Sequence, residues 1–397
     1  MSLVILSFWV FQGMYVINSI KMGSLFHYLC VSLLSVVLCF FLSSKMISFY
    51  IFFELSLIPT LFLVFFFGYQ PEKLQASMYL LMYTVMSSLP LLMIFIKMSG
   101  YILYISTSTS VSIVLFMTLG FMVKTPMYLV HVWLPKAHVE APVAGSMVLA
   151  GILLKLGSYG LILFCPVLSG VVLYFYLSLS VWGSIFCSMI CIRQSDLKGL
   201  IAYSSVVHMG VVTVGVVSGL EIGYSCALMM VIAHGVCSPM LFAVAFLVYS
   251  SSHTRVLSNN KGSLSTPVLS FILFLLLAIN MGVPPSVNLW SEVYMFISFI
   301  SMMTISIFFL VVIAFVGVVY NLFMYITLSQ SKEFDFSKTD YIYWPLLSAC
   351  LLGFLLFPFL GVFSVYFSYL NAISITLTMF RLSLCLPEVT GDMCKSK

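Results

Sequence analysis

Polar positions in this chain are short punctuation between long apolar runs. Runs long enough to cross a hydrocarbon layer of roughly 30 Å fall at 2–19, 25–43, 46–68, 76–97, 105–129, 143–165, 168–191, 197–218, 223–250, 266–303, 305–327, 341–362 and 363–384. The pattern predicts an all-α polytopic membrane protein of about thirteen spans. The 266–303 run is too long for one crossing and carries Pro284 and Pro285, so it predicts one broken helix instead of two whole ones. Pro126 and Pro135 predict a second unwound point, just beyond Lys124. Two proline-interrupted segments, each beside a buried charge, are the mark of transporters built from inverted repeats, although no repeat is visible residue by residue.

Composition narrows the class. Of the 397 residues 62% are hydrophobic and 7% are charged, against about 25% charged in soluble domains. Such a chain cannot cover a globule with polar groups, but lipid asks only that backbone hydrogen bonds close internally. Sixteen Lys and Arg give a net charge of +5. They stand singly, never as a patch able to neutralise several phosphates, which excludes nucleic acid as a partner. Their distribution sets orientation. Nine of them (Lys21, Lys73, Lys136, Arg193, Lys198, Arg255, Lys261, Lys332 and Lys338) follow odd-numbered spans, whereas Lys45 and Lys97 follow even-numbered ones. Basic loops favour the cytoplasmic or matrix side, so the N-terminus is expected on the opposite face.

The opening MSLVILSFWVFQGMYVINSIK has no charge before Lys21 and reads as a retained first helix, not a secretory or transit peptide. That suits synthesis inside an organelle, or a bacterial plasma membrane. Loops of about a dozen residues at most leave no room for a nucleotide domain. The ten cysteines, Cys187 and Cys191 among them, include no CxxC pair and no metal-binding spacing, and read as small buried apolar residues.

Against this background a few ionisable residues sit where they are costly. Glu54 lies mid-span in SFYIFFELSLIPTLFLV and Lys155 mid-span in GSMVLAGILLKLGSYGLILF, with Lys124 and Glu292 similarly placed. On insertion scales the four cost about 10 kcal/mol if unpaired. They must face the bundle interior, water or each other, and such groups usually mark proton routes. The alternative is an ion pair that merely locks two helices, which fits Glu54 with Lys124 taken alone. Lys155 has no acid in its own span, and a desolvated lysine can alternate between acceptor and donor. His131, His208 and His234 extend the series with groups that change charge near neutral pH, although each singly is equally well read as a core histidine. His138 and His253 read as loop residues.

At this point the residues match a known family. KTPMYLVHVWLPKAHVEAPVAGSMVLAGILLKLGSYG (124–160), FFELSLIPTLFLV with GYQPEKLQA (52–76), IRQSDLKGLIAYSSVVHMG (192–210), AHGVCSPMLF (233–242) and GVPPSVNLWSE (282–292) resemble, in family order, the chain 4 family of mitochondrial NADH:ubiquinone oxidoreductase, complex I. The wording VHVWLPKAHVEAP and the spacing of 31 between Lys124 and Lys155 favour it over the sister chains 2 and 5. The resemblance implies an antiporter-like proton-pumping module with two inverted five-helix repeats, in the mitochondrial inner membrane. It implies N-terminal transmembrane helices over 1–45, a proton-translocating core over 46–330, and C-terminal helices and tail over 331–397.

It further implies that Glu54 is the charged partner of Lys124, Lys155 the central lysine, His208 and His234 the connecting histidines, and Glu292 the terminal acid. No cofactor or metal is implied in this chain; NADH, FMN, iron–sulfur clusters and ubiquinone belong to other subunits. Implied partners are other membrane-arm subunits, especially chains 2 and 5, and membrane lipids. The chain departs from the family in lacking about two helices before Glu54, an expected loss of peripheral helices only. YSSSHTR also lacks the charges usual before HTR, and nothing after residue 362, down to TGDMCKSK, is recognised. Two other classes stand beside this reading: a subunit of a multi-subunit cation/proton antiporter, and a b-type cytochrome using intramembrane histidines as haem ligands. A structural subunit is the third choice.

Overall fold

In a computed structural model, residues 2–18, 23–68, 71–98, 111–164, 170–284, 286–302 and 306–330 are described. They are helical almost throughout; the one β-bridge joins Asp196 to Val256. In chain order the helices are α1 (Ser2–Asn18), α2 (Ser24–Leu42), α3 (Met46–Leu55), α4 (Leu57–Phe67), α5 (Lys73–Met98), α6 (Val111–Lys124), α7 (Trp133–Glu140), α8 (Val143–Val148), α9 (Leu154–Phe164), α10 (Gly170–Ile192), α11 (Leu197–Val217), α12 (Glu221–Ser252), α13 (Pro267–Met281), α14 (Val287–Met302) and α15 (Ser306–Tyr325).

Among the described residues eight helices are long and apolar enough to cross a membrane, α3 and α4 joining as one span and α8 and α9 as another. Ser2–Met14, Val111–Lys124 and Pro267–Met281 are shorter apolar helices. The expected spans at 341–362 and 363–384, Pro285, Lys21, Lys332 and Lys338 lie outside the described residues.

Burial orders the bundle. In α11, 94% of the span is buried, against 33% in α2 and α5, so α11 is central and the other two keep one face for lipid. α11 packs against α10 on one side and α12 on the other, and α12 in turn carries α14. Lys198 opens α11 as a buried residue, not as the loop residue its position predicts.

Both predicted breaks are present, and both solve the same problem. A helix that stops inside a membrane leaves carbonyls with no water to bond. After α6, Pro126 cannot donate to the ladder, and the chain turns through Leu129 at φ 79°. The indole Nε1 of Trp133 donates to the freed carbonyl of Val123 at 3.2 Å. After α13, Gly282 adopts φ 73°, which a side chain would resist. There the amide of Asn288 donates to the carbonyl of Ile279 at 3.1 Å.

Candidate functional site

Lys155 is 1% exposed, and the local helix is what fixes it. Between α8 and α9 one turn, Leu149–Leu153, is wound as a π-helix, a rare irregularity that costs regular hydrogen bonds and recurs at functional positions. The Lys155 ammonium donates to the carbonyl of Ala150 at 2.6 Å, and its Nζ lies 2.9 Å from Nδ1 of His234 on α12. His234 and His208, on the neighbouring α11, have ring centroids 5.5 Å apart. Nδ1 of His208 then reaches Oε1 of Glu292 on α14 at 3.3 Å, while its Nε2 is buried with no partner. Four of the residues singled out in the sequence thus form one polar series across α9, α12, α11 and α14.

Chemically the series suits proton transfer. An ammonium at Lys155 donates to Nδ1 of His234; a protonated His234 can release from Nε2, and the open Nε2 of His208 can accept. Protonated His208 would then pass its Nδ1 proton to the Glu292 carboxylate. Imidazole carries protons this way because it binds at one nitrogen and releases from the other.

Lys124 and Glu54 form a separate group. Lys124 is 3% exposed. Its ammonium donates to the carbonyl of Phe53 at 2.6 Å and stands 3.1 Å from the centre of the Phe53 ring. The Glu54 carboxylate is near enough for electrostatic coupling to Lys124. It forms no ion pair with Lys124 within 4.0 Å, and Oε1 is buried with no hydrogen-bond partner. Direct pairing is replaced by a lysine held one residue earlier on the same helix. Pro59, which lacks the N–H that would bond the carbonyl of Leu55, irregularises that helix just after Glu54.

His131 is not brought to the series. Its ring stacks on Tyr128 at 5.2 Å and meets Tyr203 edge-on at 6.1 Å, and no contact joins it to Lys155, His234, His208 or Glu292 among the described residues.

His138, read as a loop residue, is instead inside α7 with no exposed surface. It stacks on Phe242 at 4.6 Å and 8°, both ring nitrogens lack partners, and Lys198 and Lys155 both lie within electrostatic reach of it. His253, as expected, sits past a helix end, capping α12 at φ 54°.

Beyond His138 the C-terminus of α7 meets cations, as its dipole favours. Lys198 donates to the carbonyl of Ala141 at 3.1 Å and Arg255 to that of Val139 at 2.7 Å. Glu140, beside them, has its carboxyl pushed above the usual range by burial, with Arg255 pulling it back. It helps line an open cavity of about 190 Å³, together with Glu72, Gln75, Lys136, Asp196 and Tyr203. No group of three or more potential metal ligands occurs among the described residues.

Comparison with known proteins places the chain in a family. NADH-ubiquinone oxidoreductase chain 4 of Ceratitis capitata is 43% identical over 351 residues, covering 84% of this chain and 78% of its own. That of Lumbricus terrestris is 44% identical over 322 residues, covering 74% and 69%. In fold the chain is similar to one in respiratory complex I from Thermus thermophilus with bound NADH, at a TM-score of 0.81 and 22% identity over 93% of this chain and 85% of that one. It is also similar to one in the archaeal membrane-bound sulfane sulfur reductase, at a TM-score of 0.79 and 18% identity over 93% and 80%. Residues 43–318, which hold Glu54, Lys124, Lys155, His208, His234 and Glu292, match the model of the NADH:quinone oxidoreductase/Mrp antiporter transmembrane family, and the chain belongs to that family.

Proposed function

We propose that this chain is a proton-translocating membrane-arm subunit of a respiratory NADH:ubiquinone oxidoreductase. It would move protons across the inner mitochondrial membrane while NADH, FMN, iron–sulfur clusters and ubiquinone react on other subunits. The observation that carries the reading is the series Lys155, His234, His208, Glu292, with end contacts of 2.9 and 3.3 Å. Supporting it, the match to this chain covers 78% and 69% of the length of two relatives named NADH-ubiquinone oxidoreductase chain 4. In this reading the chain has about thirteen spans, and the core 46–330 holds two inverted five-helix repeats, each with a broken helix. Antiporter-like chains 2 and 5 and membrane lipids are its neighbours. Lys155 is the central donor, Glu292 the terminal acid, and Glu54 the charged partner of Lys124.

The test is Lys155→Ala in the assembled complex. Removing the ammonium leaves His234 without its donor, so NADH-driven acidification should be lost while native gels show normal assembly. Acidification at the wild-type rate would overturn the reading.

A further inference from the structure

The polar series ends at Glu292, and beside the His208–Glu292 pair lies a cavity of about 20 Å³. That exceeds the roughly 10–15 Å³ one water needs, and a stable internal water also needs two to four polar partners. Here His208, Glu292, Asn280 and Tyr320 line the space. Tyr320 is 1% exposed and Asn280 4%, so both are committed to the interior. Asn280 donates its amide to Oδ1 of Asn321 at 3.0 Å, and Asn321 donates to the carbonyl of Gly317 at 2.9 Å. This pins α13 to α15 and leaves the Asn280 carbonyl oxygen as an acceptor. Gly317 also lines the space, and a Cβ added there would meet nothing within 4 Å.

The carboxylate is held by His208 at Oε1, 3.3 Å away, and its Oε2 packs close to Gly282, 3.1 Å from where a Cβ there would stand. Of the elements packed against α14, α11 presents His208, α12 presents His234 one ring further on, and α15 presents Tyr320; α13 has no ionisable side chain.

We propose that this cavity is a binding site for one water that donates to the Glu292 carboxylate and to the Asn280 carbonyl and accepts from the Tyr320 hydroxyl, making Tyr320 a positioning residue for the charged form of Glu292. The proposal rests on the terminal role of Glu292 given above. A carboxylate deep in a membrane keeps its charge only where hydrogen bonds replace bulk water, and the water supplies one at the end of the series where a proton must leave.

The experiment follows the carboxyl band of Glu292 in infrared difference spectra of the assembled complex, identified by its absence in Glu292→Gln and titrated with pH. Tyr320→Phe removes the hydroxyl, and Gly317→Val adds bulk at a glycine that lines the space while leaving every polar side chain in place. Each should raise the proton affinity of Glu292 by about tenfold, the effect of losing one hydrogen bond to a charged group, and abolish an internal-water band that shifts in water labelled with oxygen-18. Gly317→Ala serves the same purpose if the valine variant does not assemble. An unchanged titration midpoint, or an isotope-sensitive band that persists in the bulkier variant, would overturn the water site. Normal pumping by Glu292→Gln would instead overturn the terminal role, and the midpoint shift in Tyr320→Phe would still report the water.

Discussion

At the scale of single residues, cost made the site legible. A charge inside an apolar run has to be explained, and that singled out Glu54, Lys124, Lys155 and Glu292; His208 and His234 joined them because imidazole titrates in the useful range. Their tertiary neighbours were not legible, because nothing in FFEL says that the lysine will bond the carbonyl of Phe53 instead of the adjacent carboxylate. His138 was misread for a related reason: it stands between Lys136 and Glu140 in a polar stretch, and only the packing of α7 against Phe242 buries it. Two buried ring nitrogens without partners are expensive, about 1–3 kcal/mol each, so His138 makes a sharp test. His138→Phe keeps the stacking and removes both nitrogens. Assembly on native gels and resistance to detergent should be equal or better, while coupled proton transport slows if the ring passes protons between the Glu140 cavity and Lys155. Unchanged transport would make His138 a packing residue.

At the scale of elements, both helix breaks were readable from Pro126 and from Pro284 with Pro285, because proline removes a donor wherever it falls. What covers the freed carbonyls, Trp133 in one break and Asn288 in the other, depends on how the chain returns. The π turn ahead of Lys155 had no signature, since Leu149–Leu153 is as apolar as any helix around it. The join between the two lysine groups is also a matter of element packing. A Cβ on Gly157 would stand 2.9 Å from the backbone nitrogen of Thr125 and 3.0 Å from Cβ of Lys124, so α9 meets the first break with no room to spare. Backbone cannot swing aside as a side-chain tip can. Gly157→Ala should therefore cost about 1–3 kcal/mol and lower the yield of assembled complex, and quantitative native gels that matched the wild type would show that α9 can shift.

At the scale of the whole molecule, charge arrangement sets direction. The series runs sideways through the bundle, from α9 through α12 and α11 to α14, so a proton moving along it changes helices before it changes sides. Glu292 lies five residues past the start of α14, beyond the turn at Gly282, which is the position the proposed role of terminal acid requires. Moving one charge against 100 mV costs about 2.3 kcal/mol. A terminal acid that governs release should feel that cost, whereas a purely structural charge should not. Glu292→Gln is accordingly expected to slow turnover most in coupled membranes that sustain a potential and less after an uncoupler collapses it. The ratio of the two inhibitions, measured as NADH oxidation in the same vesicles, is the informative quantity. Equal inhibition in both conditions would mean that Glu292 holds His208 in place without governing release, and the exit would then have to be sought elsewhere along α14 and α15.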